Sequence, residues 1–171
     1  LGKARKYNQP AKLIMGFIYK DEAIFIKSRD KLKKIFGRID FQSDPLDFNY
    51  TAYYEPEMGA GLKRRFVSFG KLISIQDLYR IKLYTNRLEV KFSNSGKRRV
   101  NIDPGYLDSA KLVLASTKDY AHRIYLRKGI FAEITLSYRS NSFIPNDWTY
   151  PDYRSQEYIG IFNAVRKLYA P

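Results

Sequence analysis

KRRVNIDPGYLDSAKLVLASTKDYAHRIYLRKGIFAEITLSYR, residues 97–139, is the stretch on which the reading of the fold turns. It holds three consecutive basic residues, a turn, strands and a hairpin, and it gathers most of the polar side chains suited to chemistry. Val100 and Ile102 alternate with Arg99, Asn101 and Asp103, which predicts a strand with one apolar and one polar face. Asp103-Pro104-Gly105 is expected to turn the chain, and Lys111 to Thr117 to form the next strand. The hairpin around Arg127, Lys128 and Gly129 admits two registers. A two-residue loop splits the apolar set between faces. A three-residue loop with Gly129 in the left-handed region places Leu126 opposite Ile130, Ile124 opposite Ala132 and His122 opposite Ile134 on one side. Tyr125 then faces Phe131 and Arg123 faces Glu133 on the other. The second register is the expected one. It turns His122, the single histidine, towards the apolar face as a hydrogen-bonded residue at the core edge, and makes Glu133 a structural partner of Arg123.

Working outward, Leu13 to Tyr19 is continuously apolar, as a central strand covered on both faces requires. Asp21 caps a helix that Gly37 ends, with Ala23, Leu32, Ile35 and Phe36 as its apolar contacts. Ile39 to Phe41 opens a second strand and Phe66 to Ile73 is the third. Ser74 and Asp77 resemble a helix start, after which Leu78, Ile81, Thr85, Leu88 and Phe92 recur at helical spacing. At the far end Ser155 caps a last helix whose apolar stripe runs through Tyr158, Ile161, Phe162, Val165, Leu168 and Tyr169. Trp148, framed by Pro145 and Pro151, is read as a packing anchor.

The order strand, helix, strand, strand, helix, strand predicts an α+β fold with a ferredoxin-like βαββαβ core and a largely antiparallel sheet, extended by a C-terminal strand and hairpin and a final helix. Residues 1–10 are read as a flexible basic arm and residues 11–171 as a single α+β domain. The segment from Gln42 to Lys63 departs from the rest. Asp44, Asp47, Glu55 and Glu57 occur there with no basic residue between Arg38 and Lys63, among Tyr50, Tyr53 and Tyr54. It reads either as a loop pinned by its own aromatics or as an acidic lid over a basic pocket.

With 171 residues, 44% of them hydrophobic, the chain can bury a substantial core. A net charge of +14 points to an anionic partner. The absence of cysteine excludes disulfides, thiolate catalysis and cysteine-ligated metals, and one histidine excludes a histidine-rich metal site. The longest apolar run is too short to cross a bilayer and no signal-peptide pattern precedes it, so a cytoplasmic protein without a membrane partner is expected. MGAGLKRR lacks the spacing of a phosphate-binding P-loop, no GxGxxG follows a strand, and no GxSxG elbow is present.

Six segments carry a resemblance: FGRIDFQS, YYEPEMGAGLKRRFVSF, IKLYTN, RRVNIDPGYL, LVLASTKDYAHRIYLRKGIFAEITLSY and WTYPDYRS. Together they resemble the signature of an uncharacterised prokaryotic family, domain of unknown function 4416, from Pro10 to about Tyr169. The resemblance implies no established activity and transfers no catalytic residue.

From the residues themselves, the favoured expectation is binding of a polyanion, RNA or a phosphorylated nucleotide, without catalysis. Arg64 and Arg65 lead into the third strand, and Lys97, Arg98 and Arg99 into the fourth, so the two basic groups are expected to converge, joined by Lys118 and Arg123. Against this stands the reading that these arginines solvate the sheet ends and pair with Asp103 or the acidic loop. The enzyme alternative has Asp103, His122 and Glu133 acting on a phosphorylated or nucleotide substrate, with Lys118 or Arg123 stabilising developing charge. Magnesium is the one cofactor that alternative admits; Asp103, Asp119 and Glu133 offer it oxygen ligands, in a pattern too generic to assign a metal site.

Overall fold

The apolar run at residues 13–19 is buried along its whole length and lies in the middle of the sheet. The computed structural model describes Lys3 and residues 10–170. In chain order these contain β1 (Pro10–Tyr19), α1 (Glu22–Phe36), β2 (Ile39–Gln42), β3 (Leu46–Asp47), α2 (Glu55–Met58), β4 (Lys63–Ser74), α3 (Leu78–Lys91), β5 (Val100–Leu107), β6 (Lys111–Ser116), β7 (Ile124–Arg127), β8 (Ile130–Arg139), β9 (Ser142–Pro145) and α4 (Gln156–Lys167). The expected basic arm lies outside the described residues except for Lys3 and Pro10, and Pro10 already belongs to β1.

The strands form one open sheet in the order β2-β4-β1-β5-β6-β8-β7, with β3 added to β4 and β9 to β8; each pairing is antiparallel. The chain therefore has the expected α+β fold with a mostly antiparallel sheet.

Alternation along β1 divides the core. Leu13, Met15, Phe17 and Tyr19 pack under α1 and α3 with Phe25, Leu32, Ile81 and Leu88. Ile14 faces the other way, towards Phe162 and Val165 of α4, and Ile18 packs there with Phe48, Met58 and Leu62 of the 43–62 segment. Gly16 lies between them on that face. The one charge within β1, Lys12, is buried and paired with Asp40 at 2.5 Å, and Ser68 donates to the other oxygen of Asp40.

Asp21 and Gly37 cap α1 as expected: the Asp21 carboxylate accepts from the Ala23 N–H, and Gly37 adopts φ 91°. The buried face of α1 is Ile24, Phe25 and Leu32, while Ala23 and Ile35 are exposed. Neither Ser74 nor Asp77 caps α3 with its side chain. Ser155 does cap α4. No helix among the described residues is long and apolar enough to cross a membrane.

Two local expectations need correction. Asp103-Pro104-Gly105 is not a turn but the middle of β5, and the reversal comes at Asp108, whose carboxylate accepts from the Ala110 and Lys111 N–H groups. The hairpin keeps Ile124 opposite Ala132 and Tyr125 opposite Phe131, yet Arg127 rather than Leu126 stands opposite Ile130. Lys128 and Gly129, at φ 52° and 74°, form a two-residue loop, and a bulge at Leu126 absorbs the extra residue. The bulge lets the tightest turn coexist with the apolar pairing. The apolar face expected to be core is partly solvent-facing, with Ile124 69% and Ile134 40% exposed, because β7 ends the sheet.

Candidate functional site

Backbone pairing creates an opening in the sheet. β5 and β6 are joined only where Gly105–Leu107 meet Leu112–Leu114, so before Gly105 the two strands part and β5 presents an unpaired edge. Ile102 turns its N–H and C=O to that gap, and both need partners. α3 supplies them: Glu89 accepts from the Ile102 N–H at 2.6 Å, and Lys82 Nζ donates to the Ile102 carbonyl at 3.1 Å. By alternation the next backbone unit facing the gap is Pro104, which has no N–H to satisfy. A cleft of about 600 Å³ fills the space, a volume within the range of small-molecule pockets.

The register of β1 with its neighbours sets the floor. Gly16 lies between Phe66 and Asp103, and Ile18 between Arg64 and Asn101, so these side chains share one face. A Cβ on residue 16 would stand 2.9 Å from Arg64 Nη1 and 3.4 Å from the Tyr153 hydroxyl, so glycine leaves the room that the guanidinium needs. Arg64, 3% exposed, bonds to Asp152 at 3.0 Å, approaches Asp103 at 3.5 Å and lies over the Phe48 ring. Asp103 also meets Asn101 at 2.8 Å and Lys82 at 3.5 Å.

The roof comes from the acidic segment. Phe48, Tyr50, Tyr53 and Tyr54 line the cleft, and Glu57 of α2 is clamped by Arg98, whose backbone N–H, Nε and Nη2 all donate to its carboxylate. Lys118 Nζ sits 4.4 Å from the centre of the Tyr53 ring. The far wall is β6 and β8. There Glu133, buried, accepts from Arg123 Nε at 2.8 Å and shares a hydrogen bond of 2.9 Å with His122 Nε2, while Arg123 also donates to Ser116.

The carboxyl groups are pushed apart in acidity. Burial raises Glu89 to about 7, against the pull of Lys82 and the Ile102 N–H. Burial also acts on Asp103, but Lys82, Arg64 and Asn101 outweigh it and hold the group below the ordinary range. Asp152 is raised by burial that Arg64 only partly offsets. One consequence is measurable. Glu89 keeps its proton in the fold where the unfolded chain has lost it, so its stabilising contribution is full below pH 4.5 and is lost as pH rises through about 7. Urea denaturation between pH 5 and 7.5 should show stability falling across this window, and falling less in Glu89→Gln; equal slopes in the two proteins would refute the assignment.

The structure brings Arg64, Arg98, Lys118, Arg123, Asp103 and Glu133 to one cleft. His122 does not line it but touches two residues that do, Glu133 through a hydrogen bond and Tyr120 through a ring contact at 5.9 Å. The expected separation of His122 from Glu133 is corrected here: His122 precedes β7 in a turn and so escapes strand alternation. Its ring stacks on Trp148, whose indole N–H donates to the Ile134 carbonyl. Arg65 and Arg99 do not join the cleft; they pair with Glu22 and Asp21. Lys97 lines a separate hollow. Among the described residues no three histidine, aspartate or glutamate side chains group to hold a metal ion.

Sequence reasoning missed Lys82, Asn86, Glu89, Asp152 and Tyr153. Lys82, Asn86 and Glu89 were visible as a polar ladder at i, i+4 and i+7 beside the apolar stripe of α3. Nothing local marks Asp152.

No curated protein matches the chain, and no solved structure matches it. The model of the family described as "Domain of unknown function (DUF4416)" matches residues 9–169, nearly the whole chain, and the chain belongs to that family.

Proposed function

We propose that the cleft between β5 and β6 binds a small phosphorylated ligand of nucleotide size. The observation that carries this reading is the convergence of Arg64, Lys82, Arg98, Lys118 and Arg123 on one tyrosine-walled cleft. Guanidinium and ammonium groups suit phosphate, and tyrosine rings suit a planar base. Lys118 has no carboxylate partner among the described residues, so its charge is available to a ligand. A nucleotide fits this arrangement better than an RNA strand does. Residues 64 and 65 point to opposite faces of β4, and Arg65 and Arg99 are held by Glu22 and Asp21, so the basic groups do not line up as a continuous track.

Calorimetric titration with AMP, ATP, GTP and a short single-stranded RNA at several salt concentrations tests the reading. Nucleotide binding is expected, weakened at least about tenfold in Lys118→Glu, a loss of about 1.4 kcal/mol. Absence of binding by every nucleotide at low salt overturns the proposal. RNA binding that outlasts Lys118→Glu and falls steeply with salt favours the polyanion reading instead.

A second reading is favoured by Glu89 and Asp103. Two carboxyl groups with pKa values driven apart in one cleft are the pattern of acid–base chemistry, and it makes the protein an enzyme acting on that phosphorylated ligand. Turnover of a bound nucleotide that disappears in Asp103→Asn would support it.

For the fold, we read the elements from β1 to β5 as a ferredoxin-like core. What supports this is the order β2-β4-β1-β5 with α1 and α3 on one face.

A further inference from the structure

Arg98, which lines the cleft, also lines a second hollow of about 300 Å³ together with its partner Glu57. Four cations line it: Lys20, Lys97, Arg98 and Arg99. Two are compensated, Arg98 by Glu57 at 2.7 Å and Arg99 by Asp21 at 2.6 Å. Lys20 and Lys97 have no carboxylate partner among the described residues, and like charges gathered in a concavity attract an anion. The position of Lys97 is set by a tight turn, in which Asn94 and Lys97 exchange two backbone hydrogen bonds of 2.9 Å with Ser95 and Gly96 at φ 49° and 76°. Lys20, which follows β1, has its Nζ beside Gly59, 3.1 Å from where a Cβ would stand. The two free ammonium groups are thus held on separate backbone segments.

We propose that this hollow is an anion site for a phosphate dianion, free or as a monoester, distinct from the cleft. Lys20 and Lys97 supply the uncompensated charge. Arg98 supplies fork-shaped donors that a phosphate takes in competition with the Glu57 carboxylate. Occupancy therefore loosens the contact that holds α2, and with it Tyr53 and Tyr54, over the cleft. The hollow shares Arg98 with the cleft, whereas Lys20 and Lys97 line the hollow and not the cleft.

The test is a titration of the labelled full chain with inorganic phosphate, followed through backbone amide chemical shifts at constant ionic strength set with chloride. Saturable shifts are expected at Lys20, Gly59 and residues 94–99, with at least tenfold weaker affinity in Lys20→Ala/Lys97→Ala and unchanged affinity in Lys118→Glu. Both lysines are exposed, so the double variant should fold, and an unchanged melting temperature checks that it does. No saturable shift, or the same shift in the double variant, overturns the site. Shifts that extend to Tyr53 and Tyr54 support the link to the roof, and shifts confined to the hollow overturn that link. Glycerol phosphate binding more tightly than inorganic phosphate would assign the site to an ester, and the reverse order to the free ion. A cleft that binds no nucleotide leaves every one of these outcomes readable.

Discussion

Arg64→Ala should lose about 3–5 kcal/mol of folding stability at neutral pH, the usual cost of breaking a buried ion pair from one side. Arg64 is the only cation in contact with Asp152 among the described residues and one of two beside Asp103. It also fills the space above Gly16 and lies against Phe48, Phe66 and Tyr153. Alanine would leave two carboxylates without their shared cation and a void under the aromatic rings. The loss should depend on pH in a defined direction. Without the guanidinium both carboxyl pKa values rise, so the folded variant holds protons that its unfolded chain has released, and its stability falls with rising pH across that interval. Its deficit relative to wild type should therefore be largest near pH 7 and shrink towards pH 4. Urea denaturation at both pH values measures this. A variant within about 1 kcal/mol of wild type at pH 7 would overturn the role of Arg64 as the buried cation on which both carboxylates depend.

Gly105→Ala should cost about 3 kcal/mol, the upper end for forcing extra volume into a packed site. The added Cβ would lie 2.4 Å from the Val113 carbonyl oxygen and 2.6 Å from Leu114 Cδ2. The first of these is backbone and cannot rotate away. Gly105 is also the first residue of β5 that pairs with β6, so yielding means spreading the strands at the apex of the cleft. The same substitution at Gly160 in α4, where a Cβ meets nothing within 4 Å, should instead stabilise by up to about 1 kcal/mol. Denaturation of the two variants side by side should give opposite signs. A Gly105→Ala protein as stable as wild type would mean that the strands separate without penalty.

Elements governed by local chemistry were legible in the sequence. The buried strand at Leu13 to Tyr19, the caps Asp21, Gly37 and Ser155, and the apolar positions of α3 all follow from residue type and spacing. Asp103-Pro104-Gly105 misleads because turn rules weigh those residues by local conformation, whereas here proline stands at an edge with no strand to bond and glycine at a point of close approach. The cleft exists because β6 leaves β5 at Gly105, a pairing between distant segments that no window of sequence contains. The site was therefore half visible. Arg64, Arg98, Lys118, Arg123, Asp103 and Glu133 were singled out, and strand alternation already set Arg65 on the face away from Arg64. Arg99 misleads, because alternation groups it with Asn101 and Asp103, whereas it precedes β5 and pairs with Asp21. Lys82 and Glu89 take part only because β5 lacks a neighbour at Ile102.

The central place of β1 has a consequence during biosynthesis. This apolar strand precedes both of its partners, since β4 is complete only at Ser74 and β5 at Leu107. At about 5–20 residues per second, translation leaves β1 without its full set of neighbours for on the order of 10 s. α1 can form meanwhile, but by itself it covers only one side. Pairing along both edges of β1 must therefore wait for the synthesis of residue 107, and until then the nascent chain carries an apolar strand with an open edge, of the kind that chaperones and aggregating neighbours recognise.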